Sequence, residues 1–206
     1  PTGAVWIQHF ELELVDGDPS SRKRLETRLL VRDTNGVYGM TYRWGASTGI
    51  ATLVPDEGMD EEFEIRNPDG TLLRAQTWRY PARTECMACH TKAAGSVLGF
   101  NTTQLNKLHD YGAGPENQIS ALNRVGYLTG APDDPEPLPR LAAAADTSAS
   151  LQHRGRSYLA SNCAQCHQPG GTGGADWDAR FTTPWSNAGI LDGMLANDFG
   201  DSDNRL

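Results

Sequence analysis

Thr-Glu-Cys-Met-Ala-Cys-His-Thr at residues 84–91 and Ser-Asn-Cys-Ala-Gln-Cys-His-Gln at residues 161–168 contain all four cysteines of this 206-residue chain. Each is a C-x-x-C-H pattern: Cys86, Cys89 and His90 in the first, Cys163, Cys166 and His167 in the second. No cysteine is left over for a long-range disulfide, so the pairing governs how the rest of the chain is read.

The spacing has a physical reason. Two cysteines three apart can reach the two vinyl groups on one edge of a porphyrin and form thioethers. The histidine that follows is then placed under the iron as its proximal ligand. Read this way, the chain carries two covalent c-type haems, with His90 and His167 as proximal ligands. Zinc is the main rival, because two C-x-x-C pairs can make a tetrahedral site. Zinc ribbons separate their pairs by about 15–20 residues. Here 73 residues lie between Cys89 and Cys163, and a Cys₄ site has no use for the two histidines. A thioredoxin-like dithiol is a third reading; it also leaves both histidines unexplained and lacks a βαβ setting.

Upstream of the first motif, residues 1–80 read as a β-rich domain. Phe10, Leu12 and Leu14 alternate with Glu11 and Glu13, which gives one apolar strand face. Residues 24–32 and 37–44 flank Asp33-Thr34-Asn35-Gly36, a hairpin signal, and residues 62–66 and 71–79 flank the turn sequence Asn67-Pro68-Asp69-Gly70. Tyr38, Met40, Tyr42 and Trp44 share one face, and Trp6, Trp44, Trp78 and Tyr80 are expected to fill the β core.

Residues 81–130 form a first haem-binding segment, with helices expected over 102–110 and 116–126. The Pro-rich stretch 131–147 reads as an extended linker. Residues 148–206 then form a small, mostly helical domain, with a helix over 148–161 capped by Ser148 or Ser150. The expected fold class is therefore α+β, an antiparallel β-rich N-terminal domain followed by a small helical one.

The formal charge of −8 argues against nucleic acid as a partner and suits docking to a positive patch. No run approaches the roughly 18 apolar residues of a membrane helix, so no membrane span is expected. Pro1–Phe10 does not resemble a signal peptide and there is no initiator Met, so the chain reads as a mature protein or an excised domain.

Residues around the second motif resemble the N-terminal helix of class I cytochrome c, with Gly155 eight and Leu159 four residues before Cys163. More widely, HFELEL (9–14), SSRKRLETRLLVRD (20–33), GVYGMTYRW (36–44), TWRYPARTECMACHT (77–91), SVLGFNTTQLN (96–106) and SYLASNCAQCHQPGG (157–171) resemble a bacterial family of dihaem c-type cytochromes. The resemblance implies two covalent haems c, electron transfer, and a periplasmic or secreted location. It also implies a redox partner protein, with a quinoprotein sugar dehydrogenase as the first partner class. In the family the helix crosses a C-terminal helix at the glycine, and the chain runs on through a Met-Pro segment. The 39 residues after His167 are therefore expected to stop short of a full cytochrome domain.

Among distal ligands, Met194 is the candidate for the second haem and His109 for the first. Met87, inside the first motif, is badly placed to reach its own iron, Met40 reads as core packing on a strand face, Met59 lies in an apparent loop, and His9 and His153 read as surface residues. Trp177 and Trp185 could wall the second haem. Two other functions stay open. One is a dihaem peroxidase-type enzyme. The other is a module whose β region binds a partner or polysaccharide while one haem is redox-active.

Overall fold

The computed structural model describes residues 1–45, 49–174, 176–191 and 193. The chain forms two compact units, Pro1–Cys89 and His90–Leu206, so the division falls inside the first C-x-x-C-H motif.

Unit 1 is antiparallel β structure. Strands β1 (Val5–Glu13), β2 (Arg22–Arg32), β3 (Val37–Trp44) and β4 (Ala51–Leu53) form one sheet in sequence order. Strands β5 (Met59–Arg66) and β6 (Leu72–Tyr80) pair in a second sheet. Both expected turns are present for the reasons their residues suggest. The Asp33 carboxylate accepts the amides of Asn35 and Gly36 at 2.7 and 2.9 Å. Gly70, at φ +85, takes the left-handed conformation that closes the second hairpin.

The core of the unit is Leu25, Val54, Phe63 and Tyr80, with Leu12, Leu14, Met59 and Trp78 packed around it. Complete burial of a Leu or Phe side chain contributes about 1.5–3 kcal/mol. Met59 is thus the first residue of β5, paired with Tyr80, and not a free loop methionine. The expected face of β3 is also the less buried one. Tyr38 is 41% exposed, whereas Thr41 on the opposite face is buried and Gly39 beside it is too. That inner face is small and polar because a helix packs on it: α1 (Arg83–Cys89) lies against β3. It therefore stays with unit 1, past the sequence boundary at residue 80.

Two carboxylates inside unit 1 are paired. Glu26, fully buried, accepts from Arg28 Nε at 2.5 Å and from Trp78 Nε1 at 3.1 Å. Glu61 takes a bidentate bond from Arg43 at 2.6 and 2.7 Å and the Tyr80 hydroxyl at 2.9 Å. The Arg43 guanidinium holds the Glu61 carboxyl below its ordinary value, while burial pushes the Tyr80 hydroxyl up.

Unit 2 has short elements: α2 (Thr102–Leu105), β7 (Leu108–Asp110), β8 (Pro115–Asn117), α3 (Gln118–Arg124), α4 (Leu151–Asn162) and α5 (Trp185–Ala188). The helix expected over 102–110 stops at Leu105, and residues 108–110 instead pair with 115–117. The Asp110 carboxylate accepts the amides of Gly112 and Gly114 and so makes the turn. Helix α3 starts late because Asn117 caps it, accepting from Ile119 N at 2.9 Å. The Pro-rich stretch is extended but anchored at several points. Leu138 O accepts from the buried Asn106 at 2.7 Å, and Leu141 N donates to Thr103 O at 2.9 Å. Ala142 N donates to Ser157 Oγ at 2.9 Å. It is a strap across α2 and α4, and Pro135 is buried in it.

Among the described residues no helix is long and apolar enough to cross a membrane.

Candidate functional site

Helix α1 carries the two cysteines of the first motif. The Glu85 carboxylate accepts the Ala82 amide at 2.5 Å and Arg79 Nη2 at 3.0 Å, which fastens the start of the helix to the end of β6. Cys86 faces the inner side of β3. A Cβ on Gly39 would lie 2.8 Å from Cys86 Sγ and 2.9 Å from its Cβ, so only glycine leaves the thiol its place. Burial pushes the Cys86 thiol up, with Arg28 acting against it. All four cysteines are partly exposed.

His90 opens unit 2. Its Nδ1 lies 2.7 Å from the carbonyl oxygen of Ser96. A carbonyl can only accept, so Nδ1 carries a proton, and in the neutral ring Nε2 is then the nitrogen with the lone pair. The carbonyl is aimed by a tight loop in which Ser96 N donates to Thr91 O at 2.8 Å and Gly95 N to Lys92 O at 3.1 Å. Ser96 sits at φ +65, the one non-glycine residue with positive φ among the described residues.

The second motif grows out of α4. Ser150 caps the helix, accepting from His153 N at 3.1 Å. At the other end, Cys163 N donates to Leu159 O at 2.9 Å and His167 N to Cys163 O at 2.8 Å, so Cys163 to His167 forms one further turn. The glycine run that follows lies against that turn. Gly173 N donates to Cys166 O at 2.9 Å, and a Cβ on Gly173 would be 2.7 Å from His167 Nδ1. A Cβ on Gly171 would be 2.2 Å from Cys166 O. The His167 ring stacks on Trp177, with centroids 4.2 Å apart and planes at 24°. Its Nδ1 is buried and has no hydrogen-bond partner among the described residues.

Residues 178–184 hold His167 from the other side. Ala179 N donates to His167 O at 2.9 Å. The Asp178 carboxylate takes Arg180 Nη2 at 2.6 Å, Arg180 N at 2.9 Å and Thr183 Oγ1 at 2.8 Å, and Arg180 holds its carboxyl down at about 2. Arg156 on α4, 5% exposed, donates to the carbonyls of Arg180, Phe181 and Thr183, with its guanidinium 4.7 Å from the Trp185 ring. A cleft of about 280 Å³ brings Ala94, Val97 and Phe100, which follow His90, against Ala164, Gln165 and Gln168 of the second motif.

The remaining candidates are dispersed. His109 lies exposed on β7 with its ring 4.6 Å from Tyr111, on a hairpin and not at a helix end. His153 Nε2 lies 2.9 Å from Arg140 O and its ring packs near Phe181. His9 Nδ1 meets Thr27 Oγ1 at 2.7 Å. Met87 is exposed on α1, and Met194 lies outside the described residues. Among the described residues no three His, Cys, Asp or Glu side chains form a group that could hold a metal ion. Ser96, Gly39 and Gly173 were not legible as site residues, because their parts depend on backbone conformation and close approach and not on residue chemistry.

Comparison with protein-family models, with curated proteins and with solved structures finds no match to this chain.

Proposed function

We propose that this chain is an electron-transfer c-type cytochrome with two covalently bound haems. The observation that carries this is the C-x-x-C-H pattern written twice, with its first histidine committed at Nδ1 to a carbonyl, which in the neutral ring leaves the lone pair on Nε2. A histidine meant for iron needs that tautomer. The donor set is in keeping with it. The four cysteines are partly exposed, which leaves their sulfurs within reach of a porphyrin edge. The glycines at 39, 171 and 173 keep side chains away from Cys86, Cys166 and His167.

Cys86, Cys89 and His90 would hold one haem, and Cys163, Cys166 and His167 the other. Each iron, when bound, supplies a one-electron Fe(III)/Fe(II) couple. The chain's own residues do the rest. His90 and His167 present their imidazoles, the Asp178–Arg180–Arg156 network fixes the loop behind His167, and Trp177 covers one face of that ring. The capped helix α4 leading into Cys163 supports a small cytochrome c-like domain over residues 148–206. A Cβ on Gly155 would meet nothing within 4 Å, so the helix expected to cross there is not among the described residues.

C-type attachment takes place on the outer side of the bacterial inner membrane, so we place the protein in the periplasm or outside the cell. Its acidic surface suits a redox partner with a basic docking patch, and a quinoprotein sugar dehydrogenase is the partner class to try first. The deciding measurement is the pyridine haemochrome value after co-expression with a c-type maturation system. Two haems per chain that survive acid–acetone extraction are expected. A colourless protein, or one that loses all its colour on extraction, overturns the reading.

A further inference from the structure

We propose that Ser96 is a positioning residue for His90. Its left-handed backbone aims a carbonyl at Nδ1 and so lowers the reduction potential of the first site, whereas among the described residues no carbonyl does this at the second. The inference rests on the two-haem reading above and adds to it a difference between the two ligands.

The geometry is specific. Ser96 is at φ +65, a conformation that L side chains rarely adopt, beside Gly95 at φ +78. Two consecutive left-handed residues reverse the chain six residues after His90. The reversal is secured by Ser96 N on Thr91 O and Val97 N on Gly95 O, both at 2.8 Å. The product is a carbonyl 2.7 Å from Nδ1. Strain held at one non-glycine position, next to a candidate ligand, is where a structure keeps a functional constraint.

The effect follows from the chemistry of imidazole. An acceptor on Nδ1–H pulls the proton away and makes Nε2 a stronger donor. A stronger donor favours Fe(III) over Fe(II), which lowers the potential; hydrogen bonding around the ligand is one of the protein's levers on it. At His167 the same atom is buried with no acceptor among the described residues, and the ring instead stacks on Trp177 at 4.2 Å. Gly173 comes close enough to Nδ1 that any Cβ would clash, yet no carbonyl of the described residues is bonded there.

The test is a potentiometric titration of the two-haem protein with variants Ser96→Val and Ser96→Gly, with the haemochrome value measured on each sample. A β-branched residue abandons the left-handed region; glycine keeps it. S96V is expected to move one of the two redox waves upward and leave the other in place, and S96G to leave both where they were. If S96V carries two haems and moves neither wave, or if S96G moves a wave as far as S96V does, the assignment of Ser96 fails while the cytochrome reading stands. Fewer than two haems in the unaltered protein overturns both. Should S96V fail to fold, ¹⁵N NMR of the reduced unaltered protein decides: a hydrogen-bonded Nδ1–H signature is expected for His90 and not for His167. Equal signatures for the two overturn the proposal.

Discussion

A glycine is cheap to replace unless a neighbour already fills the space of its missing side chain. Gly39 is such a case, since an added Cβ would lie 2.8 Å from Cys86 Sγ. Neither atom can yield easily: β3 is held by two strand neighbours, and α1 is fastened by Glu85 to Ala82 and Arg79. Overpacking of this kind costs about 1–3 kcal/mol. We expect Gly39→Ala to lower the unfolding free energy measured in urea by that amount and to reduce haem content at the first motif alone, read as a haemochrome value falling from two towards one per chain. Unchanged haem content and unfolding free energy would mean that Cys86 has room to move. The motif residues themselves were plain in the sequence, because two cysteines and a histidine at fixed spacing are a statement about chemistry. The residues that orient them were not. Ser96 looked like any loop serine, since a positive φ is imposed by tertiary hydrogen bonds and leaves no mark on residue type.

Among the elements, α4 and the loop that buttresses His167 are the most consequential. Ser150 caps α4 through His153 N, and loss of such a cap costs about 1 kcal/mol. Ser150→Ala is therefore expected to lower stability by that amount in chemical unfolding, and Ser150→Asp to preserve it. The loop 178–184 depends more heavily on one carboxylate. Asp178 has 12% of its side-chain surface exposed and is held at about 2, against an ordinary value of 3.8, first by Arg180. Its pKa is lower folded than unfolded, so its contribution is complete above about pH 4 and fades as pH falls towards 2. The size is about 2 kcal/mol. Asp178→Asn should cost about that much at pH 7 and nothing near pH 2; a pH-independent loss would mean that the side chain's packing matters and its charge does not. At this scale the β half was readable, because period-two alternation and Asp/Asn/Pro/Gly turns carry strands on their own. The middle was not. Residues 102–110 and 116–126 read as two helices, but Asp110 and Asn117 form a turn and a cap, and residues 108–110 pair with 115–117 as a hairpin. The Pro-rich strap reads as a free linker because its anchors, Asn106 and Ser157, are distant in sequence.

Over the whole molecule the quantity that matters for encounter is charge. The chain carries −8 at pH 7. Such a field steers a cationic reaction partner towards the protein and repels an anionic one, and salt removes both effects as the screening length shrinks from about 30 Å at 0.01 M to about 10 Å at 0.1 M. Two small oxidants of opposite sign separate this effect from chemistry. Stopped-flow oxidation of the reduced protein by ferricyanide should quicken as salt is raised over that range, while oxidation by a tris-phenanthroline cobalt cation should slow. The slopes report the charge seen from the point where electrons leave, not the total. Opposite slopes of similar size would mean that the acidic surface reaches the exposed redox edge, and a basic docking patch on the partner then follows. If both oxidants were indifferent to salt, the charge would lie away from that edge and would serve solubility alone. If ferricyanide slowed with salt, the edge would be locally basic, as Arg180 beside the cleft at Gln165 and Gln168 could make it, and the partner to seek would carry an acidic patch instead.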